Sequence, residues 1–534
     1  MSDGVAHIDA PALKAALHDG GEIALLDARE EVPFGKRHLF MAACLPAGRL
    51  ELLVNDLVPR RGTRIVWCDD GEGLADRAAR RMSALGYSHV SVLEGGVGAW
   101  EEAGYRVYSG VHVPSKAFAE VVEHEAGTPW IDAEALGALI DAEADIAIFD
   151  SRSFEEYNDN SIPGAVSVPG AELVHRVADL VPSPETTIVV NCGGRTRSII
   201  GAQSLINAGV PNRVASMKDG TMAWHLAGFE VVQGATRQPP EVSEAGLQRA
   251  REAAARVARR CGVRTIDRTT LDAWRAEADT RTLHILDVRT PAEFEAGHLT
   301  DARPAAGGQL VQETDAHVAT WGARIVLVDD DGVRATMTAS WLQQMGWTET
   351  AVFTMEPGTD GLAVGPHAPR ILGLKGAAAL TIAPLELQAR LAADTSAVVD
   401  LGSSREYSEG HVPGAWFALR SRLSEALAKL PAAEFLVLTS PDGALARLAA
   451  ADLDGTLAIP VAILDGGTRA WAAAGLPLEA GWSRMTCAAD DVWLSARQRD
   501  GDREAAMREY LAWEIDLVNQ MASDDDHRFR VVAD

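Results

Sequence analysis

Cysteine is scarce in this chain: five in 534 residues (Cys44, Cys68, Cys192, Cys261, Cys487), an odd number without a CxxC pair. That count excludes a disulfide scaffold and offers no pattern for a structural zinc site, so no metal is expected. Basic residues are also in deficit, with 49 Lys and Arg against 76 Asp and Glu and a formal net charge of −27. A surface that follows phosphates needs clustered cations that outweigh the acids, so this reading expects neither a nucleic-acid nor a membrane partner. No run of eighteen apolar residues occurs. The opening MSDGVAHIDAPALKAALHDGG lacks a basic start followed by an apolar core and a small-residue cleavage site, which leads to the expectation of a cytoplasmic location.

What is present is ordinary globular material, 47% hydrophobic and 23% charged. A chain of this length exceeds one core and predicts about three to five domains. Internal repetition sets the number. Four segments share an opening: ALLDARE, AIFDSRSFEEY, HILDVRTPAEF and AVVDLGSSREY, each an apolar run closed by an aspartate (Asp27, Asp150, Asp287, Asp400). A second apolar run follows in each: RIVWC, TIVVNC, RIVLVD and FLVLTS. Cys68, Cys192, Asp329 and Ser440 lie 41, 42, 42 and 40 residues beyond their aspartates, which places them in one position of the repeat. A Gly-rich segment ending in tryptophan closes three units (VLEGGVGAW, SMKDGTMAW, ILDGGTRAW), while Leu362 takes the tryptophan's place in the third.

Strand, polar loop and helix alternate within each unit, which predicts an α/β fold of four tandem domains, each a small, mainly parallel sheet flanked by helices. The predicted boundaries are 1–112, 125–236, 263–370 and 376–481, with a helical linker at 237–262 and a C-terminal helical tail at 482–534. In the tail, Tyr510, Trp513, Leu517 and Met521 recur at helical spacing beside Leu511, Ile515 and Val518. That stripe suits a helix packed on the repeats, with a homodimer through the same helix as the alternative.

The second unit carries the most reactive-looking loop, CGGRTRS from Cys192 to Ser198. A cysteine between a strand and a helix start faces inward-pointing backbone N–H groups, which favour negative charge on sulfur. Arg195 and Arg197 add cations that shift a thiol toward its nucleophilic form, and Gly193 and Gly194 allow a tight bend around it. In the first unit Cys68 is followed by Asp69, Asp70 and Glu72, carboxylates that oppose ionisation and repel anions. Asp329 and Ser440 offer no sulfur. Asp150 and Arg152 read as supporting residues that hold each other or brace the loop.

These blocks resemble the rhodanese family, whose domains carry an Asp-x-Arg strand end, a His-Ile-Pro-Gly-Ala type turn, a cysteine loop before a helix and a Gly-rich tryptophan motif. The order of the blocks is also similar to bacterial sulfurtransferases with four such repeats, of which only the second is catalytic. The resemblance implies a sulfurtransferase in which Cys192 takes the outer sulfur of an anionic, thiosulfate-like donor as a persulfide and passes it to a thiol or other nucleophile. It implies Gly193, Gly194, Arg195, Thr196, Arg197 and Ser198 as the donor-binding loop, small-molecule donor and acceptor as partners, and no cofactor. Arg195 departs from the family's usual glycine at that place.

Two other readings stay open. A phosphatase or arsenate reductase of related architecture needs cysteine, five residues, then arginine, and the sequence has Ser198 there. A non-enzymatic scaffold is the other, because three of the four units lack an intact loop. If rhodanese-like units work in pairs, unit one is expected to close over the Cys192 loop.

Overall fold

The computed structural model describes residues 5–356, 358, 362–376, 379–499 and 501–532. Each repeat forms one sheet with the same order. The strand ending in the shared aspartate pairs with the strand leading to the cysteine position, which pairs with the strand of the Gly-rich block and then a short N-terminal strand. In unit two these are Ile146–Asp150, Thr187–Asn191, Val214–Met217 and Trp130–Ile131, all parallel. Helices cover both faces, which is why the strands are apolar runs rather than alternating ones: Ile23–Asp27 is buried at all five positions.

The shared aspartates have a common task. Arg152 donates to Asp150 from Nε at 2.8 Å and Nη2 at 2.7 Å, and the pair is almost fully buried. Arg29 with Asp27 and Arg289 with Asp287 repeat the same fork. In unit four Gly402 replaces the arginine, and Asp400 accepts from the Gly402 amide and the Thr468 hydroxyl. A bidentate pair that recurs in units without a cysteine at the start of the cradle helix is a structural brace, which gives the buried carboxylate its partner.

The units associate in two matching pairs, and unit one does not close over the Cys192 loop as expected, since of residues 1–112 only Val111 reaches the cavity there. Gly170 of unit two meets Gly308 of unit three, where a Cβ on Gly308 would stand 2.9 Å from the Gly170 nitrogen. Gly48 of unit one meets Ser421 of unit four through the same part of the repeat, reinforced by Arg420 on Glu51 at 2.7 Å. Unit three also extends the first sheet, with Thr320–Trp321 antiparallel to Ile23–Asp27. Leu362 enters a two-residue strand against His298–Leu299 and is part-exposed, so it does not substitute for the core tryptophans; residues 357 and 359–361 of that block lie outside the described residues.

Helix Val113–Ala126 runs through the middle of the molecule, buried continuously from Val113 to Val122. The C-terminal helix Arg503–Met521 lies on it, burying Met507, Leu511, Glu514, Leu517 and Met521. Trp513 seats on Gly110, where φ is +95° and any Cβ would stand 2.3 Å from the ring. Ile515, part of the predicted stripe, is exposed instead. The predicted linker contains helix Glu244–Cys261, whose Ala250, Ala253, Ala254 and Val257 pack between helices Glu172–Leu180 and Arg334–Gln344. No helix of the described residues is long and apolar enough to cross a membrane.

Candidate active site

Cys192 follows strand Thr187–Asn191 directly and precedes helix Thr196–Asn207, so the intervening loop is Cys192 to Arg195. The thiol is 2% exposed. Ser198 stands with Oγ 3.5 Å from Cys192 Sγ, and its backbone N–H also faces the sulfur. The neighbouring turn braces the loop from below: the Thr221 N–H donates to the Cys192 carbonyl at 2.9 Å and the Met222 N–H to the Gly193 carbonyl at 3.2 Å.

Comparison of the four units corrects the sequence reading of the first. Asp27 pairs with Cys68 across the sheet, whereas Asp150 pairs with Asn191 and Asp400 with Thr439. Cys68 is therefore the last strand residue, equivalent to Asn191, and Asp69 occupies the position of Cys192. The cradle confirms the register. Asp69 accepts from the Ala75 N–H at 3.0 Å, Asp329 from Ala335 at 2.9 Å and Ser440 from Ala446 at 3.3 Å, each six residues on, as Ser198 is from Cys192. A helix N-terminus presents N–H groups to an anion. In units one and three a carboxylate of the chain itself fills that role. Cys68 lies buried beside Asp27, and burial with that carboxylate pushes its thiol pKa far up.

The predicted loop residues separate into two groups. Arg197 points along the cradle wall, forked onto Glu156 at 2.6 and 2.7 Å, and its charge lowers the Cys192 pKa. Arg195 does not serve the thiol. Its guanidinium turns to helix Val113–Ala126, where Glu120 accepts at 2.6 and 2.7 Å, Asp219 accepts at 2.7 Å and Glu123 is also bonded. Three carboxylates leave it little charge to offer sulfur. Burial outweighs Arg197 and Ser198, so the resting thiol stands above its ordinary pKa rather than below it.

Gly193 and Gly194 are not needed for a left-handed turn, since neither has positive φ. At Gly194 the missing side chain makes room: a Cβ there would stand 3.3 Å from both Glu514 Oε2 and Tyr510 Cε1 of the C-terminal helix. Thr196 donates from Oγ1 to Glu514 Oε1 at 2.8 Å. Ser198 donates to the Arg195 carbonyl at 2.8 Å and fixes the loop's exit.

A cavity of about 430 Å³ opens onto Cys192, within the usual size of a small-molecule site. Arg152 and Arg197 line it from unit two. Sequence reasoning missed much of the wall, which includes Lys116, Gln312 of unit three, Arg405 of unit four, and Trp493, Arg497, Arg499, Tyr510 and Glu514 of the tail, while Glu156 and Asp159 line it from unit two. Arg497 reaches the Asn160 and Thr221 side chains, and burial brings its pKa down to about 10. Lys116 lies 5.4 and 5.2 Å over the Tyr510 and Trp513 rings, and Arg499 lies 5.1 Å over Trp493. Within ion-pair distance, no carboxylate among the described residues neutralises Lys116, Arg405, Arg497 or Arg499. In a chain of net charge −27, this lining sets seven cations against the carboxylates Glu156, Asp159 and Glu514, a local excess that favours an anion.

Comparison with known proteins follows the same outline. The model of the rhodanese-like domain matches residues 9–103, 132–227, 270–362 and 383–474. The crystal structure of a thiosulfate sulfurtransferase from Pseudomonas aeruginosa is 48% identical, covers 99% of this chain and 100% of its own, and superposes with a TM-score of 0.95. An HTH-type transcriptional regulator of Mycobacterium tuberculosis is 32% identical over 132 residues, 22% of this chain and 58% of that protein. YrkF of Bacillus subtilis is 32% identical over 102 residues, 18% of this chain and 54% of YrkF. The chain thus spans little more than half the length of the curated relatives it matches. With one domain matched four times across the sheets described above, this chain belongs to the rhodanese family.

Proposed function

We propose that the protein is a thiosulfate sulfurtransferase that works through a persulfide on Cys192. The observation that carries this reading is the placement of a buried thiol, beside a helix N-terminus, on a cavity lined by Lys116, Arg405, Arg497 and Arg499, which have no carboxylate within ion-pair distance among the described residues. Thiosulfate is doubly anionic. Its sulfonate end suits Arg497, Arg197 and Lys116, which would bring the outer sulfur to Cys192. The thiolate attacks that sulfur, the S–S bond of the donor breaks, and sulfite leaves with the electron pair. The full-length likeness to the Pseudomonas enzyme supports the same substrate class.

Burial raises the resting pKa of Cys192, and Arg197 is the leading charge that opposes that rise and so favours the attacking thiolate. Units one, three and four act in this proposal as the frame that brings helix Val113–Ala126 and the tail onto unit two, and a cytoplasmic location belongs to the same reading. The homodimer alternative would have to use the exposed side of the C-terminal helix around Ile515, because the opposite side is buried within the chain. The test is intact-protein and peptide mass analysis after thiosulfate treatment. A gain of one sulfur on the Cys192 peptide is expected, and sulfur absent from Cys192 while sulfite is still released would overturn the assignment.

A further inference from the structure

We propose that Glu514 of the C-terminal helix is the proton relay for the second half-reaction, the transfer of sulfur from the Cys192 persulfide to a thiol acceptor. The inference rests on the persulfide reading above and extends it to a residue outside the rhodanese-like units.

The geometry is specific. Glu514 is 1% exposed yet lines the same cavity as Cys192. One carboxylate oxygen, Oε1, is fixed by the Thr196 hydroxyl at the start of the cradle helix. The other, Oε2, is buried with no hydrogen bond of good geometry among the described residues, although the Tyr510 hydroxyl of the same helix is close enough to favour the carboxylate, and it lies 3.3 Å from where a Cβ of Gly194 would be, two residues from the nucleophile. A carboxylate oxygen without a well-formed hydrogen bond in a buried site is costly and calls for a function or a ligand. A thiol entering the cavity would present its S–H to that oxygen.

The surroundings suit proton exchange. Lys116 faces Glu514 from helix Val113–Ala126, Arg195 and Thr196 from the cradle, and Tyr510 from its own helix, with Glu120 and Cys192 close enough to feel its charge. Burial raises the Glu514 pKa above the ordinary carboxylate range, nearer to that of the group it must deprotonate.

Glu514 takes the proton of the acceptor R–SH, and the resulting R–S⁻ attacks the outer sulfur of the Cys192 persulfide. A new S–S bond forms in the acceptor, the bond between Cys192 Sγ and the outer sulfur breaks, and Cys192 leaves as thiolate. The proton held by Glu514 passes to the transferred sulfur, giving R–S–SH. No external oxidant or reductant enters. Sulfite, which carries no S–H, takes the same sulfur without needing the relay.

The experiment loads full-length protein with thiosulfate, confirms the persulfide by mass, and follows single-turnover transfer to a low-molecular-weight thiol and, separately, to sulfite. Glu514→Gln is expected to lower the thiol-to-sulfite rate ratio at least tenfold and to remove the acidic limb from the pH profile of thiol transfer. Gly194→Ala, which puts a methyl against Oε2, is expected to lower the same ratio while keeping the carboxylate, and it serves if the first variant folds poorly. A ratio within twofold of the parent in both variants would overturn the relay. Failure of the parent to form any persulfide would instead strike the proposed function, so the two failures are distinguishable.

Discussion

Gly220 lies against Cys192 so closely that a Cβ on it would stand 2.4 Å from the Cys192 carbonyl oxygen, in a backbone conformation of φ +57° that side chains rarely adopt. The Gly-rich block of the repeat is therefore the floor of the cysteine loop, and Gly96 and Gly467 press in the same way on Asp69 and Ser440. Gly220→Ala is expected to displace the loop, destabilising the protein by roughly 1–3 kcal/mol and cutting sulfur transfer more than Gly104→Ala, whose site is open. Thermal unfolding and persulfide formation measured together check this, and wild-type behaviour of Gly220→Ala in both would refute the contact.

The register of unit one yields a second prediction. Cys192→Ser is expected to abolish persulfide formation, whereas Cys68→Ser keeps it, because Cys68 sits at the strand position of Asn191 with its thiol against Asp27. Equal loss in both variants would mean that two sites work.

The two loop arginines are expected to behave differently. Arg197→Ala should weaken use of thiosulfate and raise the thiol pKa further, since Arg197 is the leading charge that lowers it. Arg195→Ala should instead strand Glu120, Glu123 and Asp219 around a vacancy and act mainly on stability. Donor kinetics and thiol titration for both variants, with unfolding curves, separate the cases; identical donor defects would contradict the split.

Removal of the tail from residue 493 onward should leave four folded units with little activity, because Arg497, Tyr510 and Glu514 leave the cavity wall. The fragment 1–236 should fare no better, although it contains the whole cysteine loop. Full sulfur transfer by either piece would show the cavity to be complete without the tail.

A pH dependence follows from the junction of units two and three, where buried His175 contacts Asp331 at 3.0 Å and Glu172 at 3.3 Å. Burial alone would lower the pKa of His175, but those two carboxylates raise it to about 9. A histidine raised in the folded state contributes stability in full below its unfolded value near 6.5, and that contribution is lost as pH rises through about 9. The contribution is on the order of 3 kcal/mol. His175→Gln should flatten the decline of unfolding midpoint between pH 6.5 and 9, and an unaltered slope would argue against the pair.

The four-fold repeat, the sheet class and the singular loop of unit two were legible because they rest on local patterns: apolar runs closed by Asp27, Asp150, Asp287 and Asp400, and a Cys-Gly-Gly-Arg-Thr-Arg segment before a helix. Cys68 misled because it lies 41 residues beyond its aspartate where Cys192 lies 42, and that difference of one residue is a full step of strand register. Successive strand residues point to opposite faces, so a shift of one carries the side chain out of the cradle and puts Asp69 into it. The charge of Arg195 misled because its three acidic partners lie 24 to 75 residues away in sequence.

What the sequence by itself determined is the unit: a short-range alternation of strand, loop and helix whose hydrophobic pattern admits one architecture, with a nucleophile candidate set by its immediate neighbours. What only the tertiary structure decided is the site's wall and its electrostatics. Thr196 meets Glu514 across 318 residues, and Arg497 meets Thr221 across 276. Such contacts leave no periodicity or motif, because they depend on where packed units place their surfaces, and burial of the thiol among those surfaces sets its pKa more strongly than the arginines beside it in the chain.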